Sequence, residues 1–343
     1  IAPRLCTYYY GFVNTRKPFD NPVLRKALSA AIDRQTLIDT LLKGEQKPAH
    51  SFTSPGNFGN AAADMTIAPY LVDYKDGLAK AKQWMKDAGF PEGDGLKIRV
   101  GHNVSEAHGQ IAQAIQSMWK TAFPKIDVKI ETQELAVYLN TLLPGSPDAN
   151  KPDVYRMGWC ADYPDANNWV NEVFNPRAGQ NYAKYNNPKF TELIEGAAKE
   201  PDAAKRVKMY NDAEKIFVEQ DMGIAPIYYY TYVQESTALR AIEAVSNGIQ
   251  MLASGFTIVR DMGNNGNYAD TALRQGIEQG WIPGPTIINS GIIIGGMGGQ
   301  FFPTPEMAMD HHIVYPEYLD ADTPDEIVKA IRQNVLFGAR VIK

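Results

Sequence analysis

The hydrophobic period changes twice between residues 96 and 130, and that switch constrains the fold more than any single residue does. Residues 96–100 alternate apolar and polar as a strand does, residues 106–123 space their apolar side chains along one helical face, and residues 126–130 alternate again. A strand, a helix and a strand bury their apolar faces together in a layered α/β lobe. The pattern extends in both directions. Residues 7–13 (TYYYGFV) form an aromatic strand, and Asn21-Pro22 supplies an N-cap and a proline at the first position of an amphipathic helix. Asp33 starts a second helix to Leu42, which Gly44 stops. Residues 47–68, rich in Pro, Gly, Ser and Asn, are expected to loop across the surface. Helices follow at 78–88, 187–198 and 202–219, and strands at 154–157 and 224–233.

With 343 residues, 44% of them hydrophobic and 21% charged, the chain has material for two or three domains and a sizeable core. A net charge of −5 without any Lys/Arg block argues against a nucleic-acid partner, which needs clustered cations to displace phosphate counterions. No run approaches the roughly 18 apolar residues of a transmembrane helix. Ile1 opens the chain with neither Met nor a positively charged leader, so an export signal is expected to have been removed or to lie outside this sequence.

The stretch most suggestive of function is GWCADYPDANNW, residues 158–169, between the strand at 154–157 and a helical segment at 169–174. A strand that delivers Trp159, Cys160 and Asp162 to the mouth of a cleft offers an aromatic wall, a thiol and an acid. That set suits a ligand carrying a cation beside apolar surface, because partial desolvation strengthens charge pairing. The competing reading makes Asp162 and Asp165 caps of turns and of the helix start, with Tyr163-Pro164 fixing the bend. Tyr228, Tyr229 and Tyr230 divide the same way, between lining a cleft and packing on a half-buried strand. Cys6 precedes one strand and Cys160 ends another. Either the two are bonded, which implies an oxidising compartment, or both are buried thiols. Without CxxC spacing they make no zinc site.

Five segments together carry a resemblance. They are TYYYGFVNTRKPFDNPVLRKALSAAIDR, GWCADYPDANNW, NYAKYNNPKFTELI, DAAKRVKMYNDAEKIF and PIYYYTY, in that order. Over residues 1–232 the chain resembles the oligopeptide- and dipeptide-binding branch of bacterial ABC-transporter solute-binding proteins, family 5. The resemblance is to that family's large C-terminal lobe, a periplasmic-binding-protein type II-like fold, and implies that the lobes forming the other wall of the cleft are absent. It further implies a peptide ligand whose terminal ammonium is held by Asp162, with Trp159 and Cys160 in the same motif, and a disulfide between Cys6 and Cys160. The remaining implications are an ABC-transporter permease as partner and a periplasmic or extracellular location, with membrane association through an anchor.

After Val233 the composition changes. Of 39 acidic and 34 basic residues, 12 and 7 fall in 235–343, so the whole net charge of −5 resides there. No Pro/Gly/Ser linker marks the joint. Helices at 238–253, 268–279 and 324–336 alternate with strands at 256–260, 286–294 and 339–343, the order of parallel βα units in a TIM barrel. The glycine-rich run from Gly295 to Gly299 lacks the phosphate-cradling and dinucleotide patterns and reads as a flexible βα loop. LASGFTIVRDMGN, LRQGIEQGWIPGPTIINSG and YLDADTPDEIVKAIRQNVLFGARVIK resemble the metal-dependent amidohydrolase superfamily, near imidazolonepropionases and Xaa-Pro dipeptidases. That resemblance implies strands two to four of an incomplete (β/α)8 barrel, hence domains at 1–233 and 234–343. It places Lys343 where the superfamily has a carbamylated, metal-bridging lysine. Here Lys343 is at most vestigial, because the chain has no His-x-His pair and one lysine cannot hold zinc. No cofactor is expected; zinc is the alternative for a complete barrel. His311-His312 reads as a solvated or capping pair, His50, His102 and His108 are scattered, and there is no G-x-S-x-G elbow.

Three functional readings result. One is a peptide-binding lobe for transporter uptake, and one is metal-assisted hydrolysis of an amide or dipeptide. The third describes a composite chain, made by gene fusion, assembly error or joining of fragments, with neither activity intact. The composite is preferred for the molecule and peptide binding for its legible function; enzymatic activity is not expected. Three βα units leave a sheet edge unpaired and a barrel interior uncovered, so less order is expected after about residue 235 than before it.

Overall fold

Leu5 to Phe12 are buried without interruption along the first strand, which places that strand inside a sheet rather than at its edge. The structure, a computed structural model, describes residues 2–43, 46–232, 237–263, 267–296 and 318–343. Gly44, the junction at 233–236, most of the glycine-rich run and His311-His312 lie outside the described residues. The chain divides into two units, Pro3–Tyr232 and, with the first two residues, Val233–Lys343.

The larger unit comprises β1 (Ala2–Phe12), α1 (Pro22–Ala30), α2 (Arg34–Leu37), β2 (Lys47–Pro48), α3 (Tyr74–Asp87), β3 (Lys97–Asn103), α4 (Glu106–Ala122), β4 (Asp127–Gln133), α5 (Leu135–Leu142), β5 (Val154–Cys160), α6 (Glu172–Phe174), α7 (Pro188–Ala197), α8 (Ala203–Glu214) and β6 (Ile224–Tyr232). Six strands form one mixed sheet in the order β2-β6-β1-β5-β3-β4. β3 runs parallel to β4 and β5, whereas β1 and β5 are antiparallel with Cys6 opposite Cys160. Side-chain caps start the helices, the one at Asn21 as the sequence suggests. Asn21 accepts from the Val23 N–H ahead of α1, Ser105 from His108 ahead of α4, and Asp202 from Lys205 ahead of α8. The core joins Trp169, Phe52, Phe174 and Phe217 to the sheet and to Trp119, whose indole donates to the Leu28 carbonyl at 2.8 Å.

Three expectations for this unit are corrected. The helical segment from Asp33 does reach Leu42 as expected, but its second half is a π-helical turn, Ile38–Leu42, ended by Lys43 in the left-handed region (φ 51°). The loop 47–68 runs only partly over the surface: Ala49 to Ser54 are buried, whereas Gly56, Phe58, Ala63, Met65 and Thr66 are exposed. Burial there is tolerated because the backbone is satisfied. Phe52 and Thr53 donate to the Glu214 carboxylate at 2.9 and 2.6 Å, and His50 and Ser51 to the Tyr229 hydroxyl at 3.3 and 2.9 Å. Finally, β5 extends past the expected 154–157 and ends at Cys160, the residue expected to end a strand, so Trp159 and Cys160 belong to the strand itself.

The smaller unit contains α9 (Thr237–Ala253), β7 (Ile258–Arg260), α10 (Ala269–Glu278), β8 (Thr286–Ile288), β9 (Ile293–Gly295), β10 (Tyr318–Asp320) and α11 (Pro324–Leu336). A barrel fragment calls for one continuous parallel sheet. Among the described residues there are instead two separate parallel pairs, β7–β8 and β9–β10. The strand expected at 286–294 is broken because side chains of α10 hold a turn in its middle. Asn289 donates to Thr271 (2.7 Å) and accepts from Arg274 (3.1 Å), while the Gly291 N–H, at φ 69°, donates to Asp270 (2.8 Å). The expected strand at 339–343 is irregular, since Arg340 and Val341 both donate to the Asn289 carbonyl and so close over that break. Among the described residues the packed core cluster here is Tyr268, Ile292, Leu319 and Ala330. Trp281 and Leu336 stay 76% and 82% exposed, which marks how little apolar surface this unit covers.

Candidate functional site

Antiparallel pairing of β1 with β5 sets Cys6 against Cys160, and the two are joined in a disulfide. The alternative of two free thiols is thereby set aside, and Cys160 presents no thiol to a ligand. Beside the disulfide, the Ala161 N–H donates to the Leu5 carbonyl at 2.8 Å. The chain therefore departs toward Asp162 from a fixed point.

Past the strand the loop turns around Asn168, which is wholly buried. Its Oδ1 accepts from the Trp159 indole N–H (3.2 Å) and from the Asp162 backbone N–H (2.9 Å). Its Nδ2 donates to Asp162 Oδ2 (3.2 Å) and Glu172 Oε2 (2.7 Å). Trp159 packs one side on the core and is half-buried, whereas Asp162 is exposed. The other carboxylate oxygen of Asp162 makes no hydrogen bond among the described residues. An exposed carboxylate next to an indole held in place can pair with an organic cation.

Asp165 has a different role. Its carboxylate accepts from the Asn167 N–H (2.8 Å) and forms an ion pair with Arg206 at 2.7 Å, and a parallel bridge joins its backbone to Phe58. The turn-capping reading therefore describes Asp165, and the exposed acid is Asp162.

Sequence reasoning missed a second group, on the face of β5 opposite Trp159. The Arg156 guanidinium lies 4.6 Å above the Tyr8 ring, which stacks on Tyr228 at 4.8 Å. Arg156 Nη1 donates to Asn103 Oδ1 (3.3 Å), and its buried Nε has no partner among the described residues. His108 Nδ1 is 3.3 Å from the Tyr8 hydroxyl; burial first, then the Arg156 and His102 charges, push this imidazole down to about 4, so it is neutral at pH 7. The signal for this group was an arginine interrupting the apolar run of a strand. Of the tyrosine triple, Tyr228 and Tyr230 pack at this face, while Tyr229 is buried against Ser51.

In the smaller unit Lys343 lies near enough to Asp261 for its charge to favour the ionised acid. Burial first and the Asp270 carboxylate second outweigh that influence, and the Asp261 carboxyl is pushed up to about 6. Among the described residues no three His, Cys, Asp or Glu side chains come together as metal ligands.

The family described as bacterial extracellular solute-binding proteins, family 5 Middle, matches residues 1–181. The oligopeptide-binding protein OppA of Bacillus subtilis is 32% identical over 242 residues, covering 67% of this chain and 41% of that protein. The periplasmic murein peptide-binding protein MppA of Escherichia coli is 34% identical over 232 residues, with coverage of 67% and 41%. Among solved structures, Haemophilus influenzae OppA in complex with RPPGFSPFR superposes with a TM-score of 0.60 at 32% identity, covering 67% of this chain and 43% of that one. The chain thus spans about two fifths of the length of the curated relatives it matches.

Proposed function

The chain belongs to the family 5 bacterial extracellular solute-binding proteins, and from that premise we propose that its larger unit is a peptide-binding lobe in which Asp162 holds the terminal ammonium of the ligand. The observation that carries the reading is the Asp162 carboxylate, exposed, anchored by one oxygen to Asn168 and beside the fixed Trp159 indole. Trp159 supplies the apolar wall, and Cys160 fixes the strand end through its disulfide. The relatives' names, which specify oligopeptides and murein peptide, support the ligand class. In an intact protein of this family a second lobe would close on the peptide and the closed form would dock on an ABC-transporter permease, in the periplasm or outside the cell, with an anchor holding it at the membrane.

The break between Tyr232 and Val233 supports reading the chain as a composite, with domains 1–233 and 234–343. For the second domain the amidohydrolase resemblance rests on its sequence segments alone, and we assign it no reaction, because zinc hydrolysis needs about three protein ligands in fixed geometry.

Titration calorimetry of the chain with a tetrapeptide tests the main reading. Binding should weaken roughly tenfold to a hundredfold on N-acetylation of the peptide, and by a similar factor in Asp162→Ala, the range for loss of one partner of a hydrogen-bonded charge pair at a partly solvated site. Equal binding of free and acetylated peptide, or none of either, overturns it.

A further inference from the structure

We propose that Glu172 is a positioning residue for Asp162, acting through the side chain of Asn168; this rests on Asp162 being the ammonium partner. A primary amide has two N–H donors and two acceptor lone pairs, and buried Asn168 uses all four. Two N–H groups, from Trp159 and Asp162, point at its oxygen, while two carboxylates, from Asp162 and Glu172, receive its two hydrogens. Reversing the amide would set NH2 against two donors and the carbonyl against two carboxylates, so one orientation is enforced. Glu172 contributes most to that choice, since its bond to Asn168 is the shortest of the four at 2.7 Å. Glu172 is itself held, accepting from the Tyr163 hydroxyl and from Asn167 Nδ2 at 3.3 Å. One exposed carboxylate thus fixes an amide that fixes a second carboxylate and an indole. Asp162 is ordered before any ligand arrives, which lowers the entropy lost on binding.

Exposure makes Glu172 a clean target, because its removal leaves no cavity. The test follows exchange of the Trp159 indole N–H by NMR, assigned through Trp159→Phe, with the other four tryptophan indoles as internal controls. Glu172→Ala should speed exchange at Trp159 at least tenfold and leave the controls unchanged. It should also cut the preference for a free-amine tetrapeptide over its N-acetyl form about tenfold, and Glu172→Gln, which keeps one acceptor oxygen, should fall between. Wild-type exchange and wild-type preference in Glu172→Ala, with preference abolished in Asp162→Ala, would overturn the positioning role alone. Unchanged preference in Asp162→Ala would overturn the ammonium site and this role with it.

Discussion

Asp162 and Asp165 stand three residues apart in one loop, and the sequence offered both as caps but only Asp162 as a ligand-binding acid. What separates them is Arg206, which arrives at Asp165 from a helix remote in the chain. Asp165→Ala should therefore cost stability, about 1–2 kcal/mol for a partly buried, hydrogen-bonded ion pair, read from the urea midpoint. Asn168 drew no notice in the sequence for a related reason: its importance lies in four partners, not in its residue type. In the smaller unit, residue chemistry predicts a pH effect. A carboxyl whose folded pKa, about 6, exceeds its unfolded value of about 3.9 binds its proton more tightly when folded. The stabilisation is full below about pH 4 and is lost as pH rises through about 6. Because Asp261 is partly exposed, screening reduces the effect to about 1 kcal/mol. Thermal unfolding of the smaller unit should fall in midpoint between about pH 4 and pH 6.5, and Asp261→Asn should remove that slope.

Among the elements, periodic segments were legible and satisfied irregular ones were not. α4 and α11 lie where apolar spacing and capping residues put them, because each is specified by its own sequence. The loop 47–68 looked superficial, yet its stretch 49–54 is buried because Glu214 and Tyr229, far along the chain, provide acceptors for the backbone there. Glu214→Ala strands the Phe52 and Thr53 N–H groups and should destabilise the larger unit by about 3 kcal/mol, measured by denaturant titration. The disulfide is a tie of another kind, between strands 154 residues apart. Closing a loop of that length stabilises by up to about 5 kcal/mol in the chain-entropy limit, so reduction should lower the urea midpoint of the larger unit markedly. An unchanged midpoint after verified reduction would contradict that. The strand break at Asn289 was legible in part, since Asn289-Ser290-Gly291 divides the apolar run 286–294 with turn-forming residues; what the sequence does not show is that side chains of α10 hold that turn.

For the molecule as a whole, the division of labour follows from buried apolar surface. One unit packs dozens of large side chains around six strands; the other, among the described residues, has a core cluster of four and leaves Ile258, Trp281 and Leu336 in water. Opening free energies track such packing, so backbone amides of the smaller unit should exchange faster than those of β1, β5 and β6. The α/β lobe was readable because its alternation is local, whereas a barrel depends on how strands join, which periodicity alone does not encode. Amide hydrogen exchange of the whole chain, with and without a saturating free-amine tetrapeptide, tests most directly that ligand recognition belongs to the larger unit. Slowed exchange at residues 156–172, with none at 237–263 or 318–343, is the predicted result. Protection confined to the smaller unit, or none anywhere, would contradict the account.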